Sequence, residues 1–262
     1  MSATSRTLGE LVAYLDDYLK VREVPDDPNA LNGLQVENSG VIHRIVAAVD
    51  AAQATIDGLP TASPGTLLLV HHGLFWDGNR AVSQRRYRKL KALFDRDAAL
   101  YSAHIPLDLH PIVGNNAVLA ARLGLTATES FGQHKGVSIG IAGVAPPRLH
   151  TREAVVGALA ELLGIGRGEI RLIAGGPAEV RKIGVITGAA GSAIGQAFAA
   201  GCDTYISGEG MHHSYFDATE LGINVIYAGH YATETVGVQA LAQHLHERYG
   251  LPWEFHDHPT GM

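Results

Sequence analysis

The sequence predicts an α/β fold made of two related halves with mostly parallel sheets. Short apolar runs alternate with helical stretches along most of the chain, which implies crossover connections between parallel strands. The order and spacing of elements that follow Arg44 recur after Arg181. Histidines and acids also collect where the expected strands end, and ligands of such sheets bind beyond the carboxyl ends of the strands.

The first half is expected to begin with a helix. Thr7 is a suitable N-cap, and leucines follow at helical spacing over residues 8–20. Three buried strands with two intervening helices come next: strands at Ile45–Val49, Thr66–Val70 and Ala99–Ala103, and helices at 51–59 and 85–95. A further helix is expected over residues 117–123.

The second half repeats this plan. Placing Arg44 on Arg181 carries His71-His72-Gly73 onto Gly208-Glu209-Gly210 without a gap, so that Glu209 takes the place of His72. Side-chain identity along the alignment is low, and chance similarity between βαβ units is the alternative. We expect three parts: a first half over residues 1–130, a short covering or assembly segment over 131–180, and a second half over 181–262.

Composition limits the class of partner. A chain of 262 residues can bury a sizeable core, and 46% hydrophobic with 18% charged residues is typical of a globular protein. The net charge of -6 argues against a general nucleic-acid surface, because phosphate binding needs clustered Lys and Arg. Residues 1–6 lead into the first helix without a signal-peptide core, and no apolar run reaches about 18 residues. We therefore expect a cytoplasmic protein, without a membrane association, that acts on a small molecule.

A histidine followed four residues later by an acid occurs at two expected strand ends. The pairs are His104 with Asp108 and His230 with Glu234, and a third strand ends in His71-His72-Gly73. Imidazole and carboxylate together suit divalent transition metals such as Zn, Mn, Fe, Co and Ni. Since three such strand ends can meet at one rim of a sheet, the residues predict a metal-dependent enzyme.

The spacing leaves several individual roles open. Pro106 favours a turn that returns Asp108 towards the strand end, and either Asp108 or His104 can be a ligand. Alternatively, His104 can hold a ligand in place by a hydrogen bond. Glu234 precedes a helix expected from about residue 236, whose positive end favours the ionised, ligating form. Glu209 can serve as a proton shuttle or as a group that holds a ligand.

Three arginines closely follow the His-His segment: Arg80, Arg85 and Arg86. They can meet a phosphate-bearing substrate at the mouth of the site. The competing interpretation is a solvated helix surface.

Five segments of the chain resemble the GTP cyclohydrolase 1 type 2 homologues, the NGG-interacting-factor-3-like proteins, and they occur in the family's order. These segments are Asn32-Gly33-Leu34-Gln35-Val36, Val70-His71-His72-Gly73-Leu74-Phe75-Trp76, His104-Ile105-Pro106-Leu107-Asp108 with Gly114-Asn115-Asn116, Ser207-Gly208-Glu209, and Ala228-Gly229-His230-Tyr231-Ala232-Thr233-Glu234.

The resemblance implies two related α/β halves, a ring-shaped homohexamer and a centre of two divalent metal ions per subunit at the strand ends between the halves. Carried over residue by residue, five ligands are implied: His71, His72, Asp108, His230 and Glu234, the last bridging both ions. His104 then lies near the centre, outside the usual ligand set. The large inserted domain of some relatives is absent.

The family name implies hydrolytic opening of the guanine imidazole ring of GTP. A metal-activated water would attack C8, and Glu209 or His104 would move protons. A phosphoesterase or another metallohydrolase fits the same ligands, because two metals can clamp both the attacking and the leaving oxygen. A non-catalytic metal-binding ring that binds partner proteins is the competing class.

Overall fold

The computed structural model describes residues 5–61 and 65–262. Two short segments lie outside the described part: residues 62–64, and residues 1–4, which belong to the N-terminal stretch expected to lack a signal-peptide core. By its internal contacts the chain divides into two units, one made of Met1–Val113 with Val238–His258 and the other of Gly114–Gly237 with Pro259–Met262. No helix within the described residues is both long and apolar enough to cross a membrane.

The strands, in chain order, are β1 (Arg6–Thr7), β2 (Gly33–Val36), β3 (Val41–Ile42), β4 (Arg44–Asp50), β5 (Thr66–His72), β6 (Ala98–Ser102), β7 (Thr126–His134), β8 (Val137–Val144), β9 (Arg171–Ala174), β10 (Lys182–Val185), β11 (Thr204–Ser207), β12 (Asn224–Tyr227) and β13 (Trp253–Phe255). The α-helices are α1 (Leu8–Leu19), α2 (Gln53–Asp57), α3 (Gln84–Asp95), α4 (Ile105–Asp108), α5 (Asn115–Leu123), α6 (Arg152–Leu163), α7 (Ile194–Ala199), α8 (Ser214–Leu221) and α9 (His230–Tyr249).

The first unit contains a five-stranded sheet in the order β13-β4-β5-β6-β2. Its strands are parallel except for β2, which runs antiparallel to β6. Along β5, Leu67 and Leu69 join one buried apolar cluster, whereas Leu68 and Val70 join another. Both faces of the sheet are therefore covered, which explains why its strands are continuous apolar runs without an alternating pattern.

The second unit contains a six-stranded sheet in the order β7-β8-β10-β11-β12-β9. Only β10, β11 and β12 are mutually parallel, and the other three strands pair antiparallel. The expected parallel character thus holds for the first sheet and for the centre of the second. The antiparallel strands come from residues 126–174, where β7 and β8 form a hairpin closed at Lys135 and Gly136, both with positive φ.

From a Thr-capped helix onwards, the two units follow the same order of elements; in the second unit, α5, β7 and β8 precede this helix. The helix has 12 residues, α1 after Thr7 and α6 after Thr151, and in each the threonine hydroxyl accepts from the amide three residues on. An antiparallel edge strand follows, β2 or β9, and then three parallel strands with helices between them. This common order supports an internal duplication.

The units differ in their bounds from the three parts expected from the sequence. Helix α6 and strand β9 lie within residues 131–180, yet they correspond to α1 and β2 of the first unit, so that segment supplies the start of the second repeat. At the other end, β13 pairs with β4, and the chain from Val238 to His258 belongs to the first unit.

Backbone hydrogen bonds at the strand ends allow the two units to be compared. Ala103 donates its amide hydrogen to the carbonyl oxygen of Val70 over 3.0 Å. In the second unit, Ala228 donates to Ser207 over 2.9 Å and Gly229 donates to Gly208 over 3.0 Å. The first of these two bonds fits the gap-free placement of Glu209 on His72, and the second fits a placement of Glu209 on His71 with His230 on His104.

Candidate metal-binding site

In the first unit, three histidines and one acid lie close together at the ends of β5 and β6. Ring centroids are 4.7 Å apart for His71 and His72, 5.0 Å for His71 and His104, and 5.6 Å for His72 and His104. One nitrogen of each ring lies within 4.8 Å of the others. Asp108, at the end of the short helix α4, places Oδ2 3.6 Å from His71 Nε2. We call these four residues the first-unit cluster.

Two rings of this cluster form a hydrogen bond through Nδ1 to another group of the protein. His71 Nδ1 lies 2.9 Å from the carbonyl oxygen of Ala103, and His72 Nδ1 lies 2.9 Å from Asp50 Oδ1. A carbonyl or a carboxylate only accepts, so Nδ1 carries the hydrogen in both rings and Nε2 keeps its lone pair. Both rings therefore have the tautomer that binds a metal through Nε2.

The third ring is held by Asp26. His104 Nδ1 lies 2.9 Å from Asp26 Oδ1 and 3.1 Å from Oδ2. Asn32 donates from Nδ2 to Asp26 Oδ2 over 2.8 Å, and its Oδ1 accepts from the His104 amide over 2.7 Å. Burial alone raises the pKa of the Asp26 carboxyl, but the hydrogen bonds and charge of His104 and the Asn32 bond lower that pKa to about 2. Asp26 is thus a carboxylate at neutral pH.

Gln35 connects the same loop to the His-His turn. Its Nε2 donates to the carbonyl oxygens of Ala30 and Leu31, each over 3.0 Å, and its Oε1 accepts from the amide of Leu74 over 2.8 Å. A Cβ at Gly73 would overlap the Gln35 amide, so a side chain there would displace that amide from its hydrogen bonds. The segment from Asn32 to Gln35 therefore supports two of the segments that carry site residues.

In the second unit, His230 lies between two acids. Its Nδ1 is 2.8 Å from Glu209 Oε1, and its Nε2 is 3.2 Å from Glu234 Oε1. The hydrogen bond to Glu234 is the largest influence on His230, and together with Glu209 it raises the pKa of His230 to about 9 against the opposing effect of burial. A Cβ at Gly188, where φ is +68°, would overlap Glu234 Oε1.

Helix α9 begins at His230 itself and not near residue 236 as expected. The two ligand candidates His230 and Glu234 are therefore one helical turn apart on the same face. Thr233 lies within this helix, and its buried hydroxyl accepts from the Gly188 amide over 3.1 Å.

These donor sets fit a divalent transition metal. Imidazole nitrogen and carboxylate oxygen are the ligands such ions take in proteins. Metal-binding histidines usually donate their other ring nitrogen to a carboxylate or a carbonyl, which fixes both the tautomer and the ring orientation. All four site histidines, His71, His72, His104 and His230, have an acceptor of this kind at Nδ1.

The three arginines brace the loop that follows the His-His turn. Arg86 is 7% exposed, ion-pairs with Asp77, and donates over 2.8 Å to the carbonyl oxygens of Gly78 and Arg80. Arg85 reaches Asp77 Oδ2 over 3.1 Å, and Arg80 donates from Nε to the Asp77 carbonyl over 3.0 Å. Only Arg80 and Arg85 have exposed side chains that can meet a substrate.

Sequence reasoning missed three residues of this region. Asp50 ends strand β4, so the rule about carboxyl ends of strands contained the signal. Asp26 lies in an irregular loop and has no periodic signal. Trp76 presents its ring edge-on, with its centroid 4.9 Å from that of His104 and 5.9 Å from that of His72.

Comparison with known proteins finds relatives that align with nearly the whole chain. A family model described as Duf34/NIF3 (NGG1p interacting factor 3) matches residues 6–260. A Deinococcus radiodurans protein named GTP cyclohydrolase 1 type 2 homolog is 42% identical over 254 residues, which is 97% of this chain and 94% of that protein. A Pyrococcus abyssi protein of the same name is 41% identical over 97% of this chain and 98% of its own length.

Solved structures show the same fold. The crystal structure of TTHA1606 from Thermus thermophilus matches with a TM-score of 0.85 and 41% identity, over 98% of this chain and 100% of that one. The structure of ybgI, a protein described as of unknown function, matches with a TM-score of 0.86 and 32% identity over the same shares. Because the family model spans nearly the whole chain and the relatives align end to end, this chain belongs to the Duf34/NIF3 (NGG1p interacting factor 3) family.

Proposed function

We propose that the chain is a metal-dependent hydrolase that uses two divalent ions per subunit. The proposed ligands are the five residues that the family resemblance implies: His71, His72, Asp108, His230 and Glu234. The observation that carries the proposal is the common anchoring of the site histidines at Nδ1, which makes Nε2 the ring nitrogen that would bind a metal. Such anchoring is typical of metal ligands.

The first substrate class to test is a guanine nucleotide, because the curated relatives are named GTP cyclohydrolase 1 type 2 homolog. Bound divalent ions lower the pKa of water from about 15.7 towards about 7, which supplies a nucleophile at neutral pH. In ring opening, a water activated in this way would attack C8 of guanine, a ring carbon–nitrogen bond would break, and the departing nitrogen would take up a proton.

Glu209 is the proposed proton-transfer group of the second unit. Its Oε1 accepts the hydrogen of His230 Nδ1, which orients that ring. The side chain is 39% exposed, so the carboxylate can exchange protons with solvent or substrate. Arg80 and Arg85 are the proposed contacts for substrate phosphates, since their side chains are exposed beside Asp77.

The test compares His230→Ala and His230→Gln with the unmodified protein. We expect both variants to lose bound metal and hydrolytic turnover, because each removes a nitrogen donor, while the far-UV circular dichroism spectrum stays unchanged. The measurements are elemental analysis after metal loading and a turnover screen over guanine nucleotides and phosphoesters. The matched control is His212→Ala, an exposed histidine outside the donor groups.

Two results would contradict the proposal. Hydrolysis that persists in His230→Ala without bound metal excludes a metal-dependent mechanism. A fully metal-loaded protein that is inert across the whole screen favours instead a ring that binds metal without catalysis.

We further propose that the subunits assemble into the ring-shaped hexamer that the resemblance implies. Large apolar side chains stand exposed in both units, and subunit contacts would cover such surface. They include Phe94, Ile112, Phe198, Met211 and Phe216.

A further inference from the structure

The hydrogen bonds of the Asp26 loop give His104 the same arrangement as its two neighbours in the first-unit cluster. His104 Nδ1 is bonded to both oxygens of Asp26, at 2.9 and 3.1 Å, so this nitrogen carries the hydrogen and Nε2 keeps the lone pair. The rings of His71 and His72 are held in that tautomer by Ala103 and Asp50. Three imidazoles therefore offer the same atom.

The three rings also face one space. A nitrogen from each of His71, His72 and His104 lies within 4.8 Å of the other two. The side chains are largely shielded from water, at 0%, 18% and 21% exposure respectively. A group of three imidazoles at this separation is a donor set for a single divalent ion.

We propose that His104 is a third imidazole donor to a metal ion at His71 and His72, and that Asp26 is the residue that positions it. This inference rests on the proposed metal dependence. It replaces the proton-transfer role expected for His104 from the sequence.

The charge of Asp26 is essential to this arrangement. Its two oxygens accept from four donors: Asp27 N at 2.6 Å, Asn32 Nδ2 at 2.8 Å, Ile105 N at 3.0 Å and His104 Nδ1 at 2.9 Å. An asparagine at this position has one acceptor oxygen in place of two. Two of the four donors are backbone amides, and Asn32 Oδ1 is engaged by the His104 amide, so the imidazole of His104 is the group that can change from donor to acceptor. We therefore expect Asp26→Asn to move the hydrogen from Nδ1 to Nε2. The lone pair at Nε2 is then lost to the metal.

The backbone around His104 is held by the same loop. Asn32 Oδ1 accepts from the His104 amide over 2.7 Å, and Asp26 Oδ2 accepts from the Ile105 amide. Asp26 therefore also stabilises the start of α4. If Asp26 only stabilises the loop, its substitution should have the same effect whether or not His104 is present. If Asp26 positions His104, its substitution should have no further effect once His104 is removed.

The experiment is a titration of the metal-free full-length protein with Co²⁺ against a chromophoric chelator, together with the visible absorption spectrum of the bound Co²⁺. The variants are His104→Ala, His104→Gln, Asp26→Asn and the double variant Asp26→Asn/His104→Ala. Asp97→Asn is the matched control, because Asp97 accepts from Ser39 N and Oγ, each over 2.7 Å, in another loop of the same unit with no histidine involved.

We expect both His104 variants to weaken Co²⁺ binding at least tenfold and to change the absorption spectrum. Asp26→Asn should weaken binding by about 10–100-fold, the range typical of groups that orient a ligand. The double variant should match His104→Ala, because Asp26 acts through His104. Asp97→Asn should bind as the unmodified protein does. Circular dichroism identifies any variant that fails to fold.

Three outcomes overturn the inference. Unchanged affinity and spectrum in His104→Ala and His104→Gln, while His71→Ala loses Co²⁺, exclude His104 as a donor and leave the proposed function intact. Additive losses in the double variant exclude positioning through His104. Failure of the unmodified protein to bind Co²⁺ or Zn²⁺ removes the proposed function together with this inference.

Discussion

At the scale of the residue, the site consists of candidate ligands at strand ends and of the groups that hold their rings, such as Asp50 at His72 and Asp26 at His104. The ligand candidates could be predicted, because histidine and acid recur at strand ends and strand ends are where α/β sheets bind ligands. Their supporting partners were harder to predict. Asp26 lies 78 positions before His104, in a loop without periodicity, and only the folded chain brings them together.

Gly73 offers a test of how the Asn32–Gln35 segment is attached. Gly73→Ala should lower the free energy of unfolding by about 1–3 kcal/mol, because the new Cβ displaces the Gln35 amide and leaves hydrogen-bonding groups without partners. Urea unfolding followed by circular dichroism measures the change. In the control Gly9→Ala, the new Cβ meets nothing within 4 Å in helix α1, and a gain of about 0.5–1 kcal/mol is expected.

The contact between residue 73 and Gln35 can be tested directly. If Gly73→Ala is as stable as the unmodified protein, or if adding Gln35→Ala does not remove most of its cost, then Gln35 is not the group that excludes a side chain at residue 73.

At the scale of the element, periodicity located the helices and strands well but placed some boundaries wrongly. Helix α2 covers Gln53–Asp57, shorter than the expected 51–59, and α9 starts several residues before the expected position. The start of α9 was missed because Gly229, with φ +88°, ends the preceding strand segment and the helix begins directly at His230. Gly229 has no side chain that could have marked the start of the helix as a cap.

Helices α1 and α9 meet within the first unit through aromatic side chains. Tyr18 and His244 stack with ring centroids 4.4 Å apart, and Tyr18 lies 4.2 Å from His110. Tyr14 Oη lies 2.6 Å from His244 Nε2, and the Arg248 guanidinium covers the Tyr14 ring at 4.2 Å. The arrangement favours neutral histidines, because Tyr14 can donate to an unprotonated Nε2 and Arg248 repels a second positive charge.

This contact gives stability a defined dependence on pH. Burial lowers the pKa of both His110 and His244 below the ordinary value of 6.5, with further lowering by His244 on His110 and by Arg248 on His244. Folding therefore favours the neutral rings, so their stabilisation is complete above about pH 6.5 and is lost as the pH falls below it. The urea midpoint should decrease between pH 6.5 and pH 5.5.

The contribution of these two rings can be isolated. His110→Gln/His244→Gln should show a smaller decrease in the urea midpoint than the unmodified protein over the same pH range, whereas His212→Gln should follow the unmodified protein. An equal decrease in all three proteins would show that other groups cause the acid sensitivity.

At the scale of the whole molecule, the sequence predicted two related α/β halves, and the order of elements in each unit supports them. The extent of the second repeat was not predicted. Residues 7–36 and 151–174 share a threonine cap, a 12-residue helix and an edge strand, but few identical side chains. Two segments that have similar backbones but different side chains cannot be aligned from their side chains alone.

The proposed hexamer is a property of the whole molecule and is tested as such. Light scattering on the eluted protein should give a mass of about six times the 27.7 kDa subunit. Closed rings bury the same patches on every subunit, so the mass should hold on moderate dilution. A monomeric or dimeric mass throughout the concentration range would contradict the proposed ring.

The route of the chain through its last helix limits how the protein can be divided. Residues 238–258 complete the first unit, where Val238, Leu241 and Leu245 fill its apolar core and β13 pairs with β4. A gene fragment ending at Val113 would lack these residues and would expose both the core and the edge of β4. A single cut in the chain therefore cannot separate the two units, and a change that unfolds the end of α9 destabilises the unit that contains the first half of the sequence.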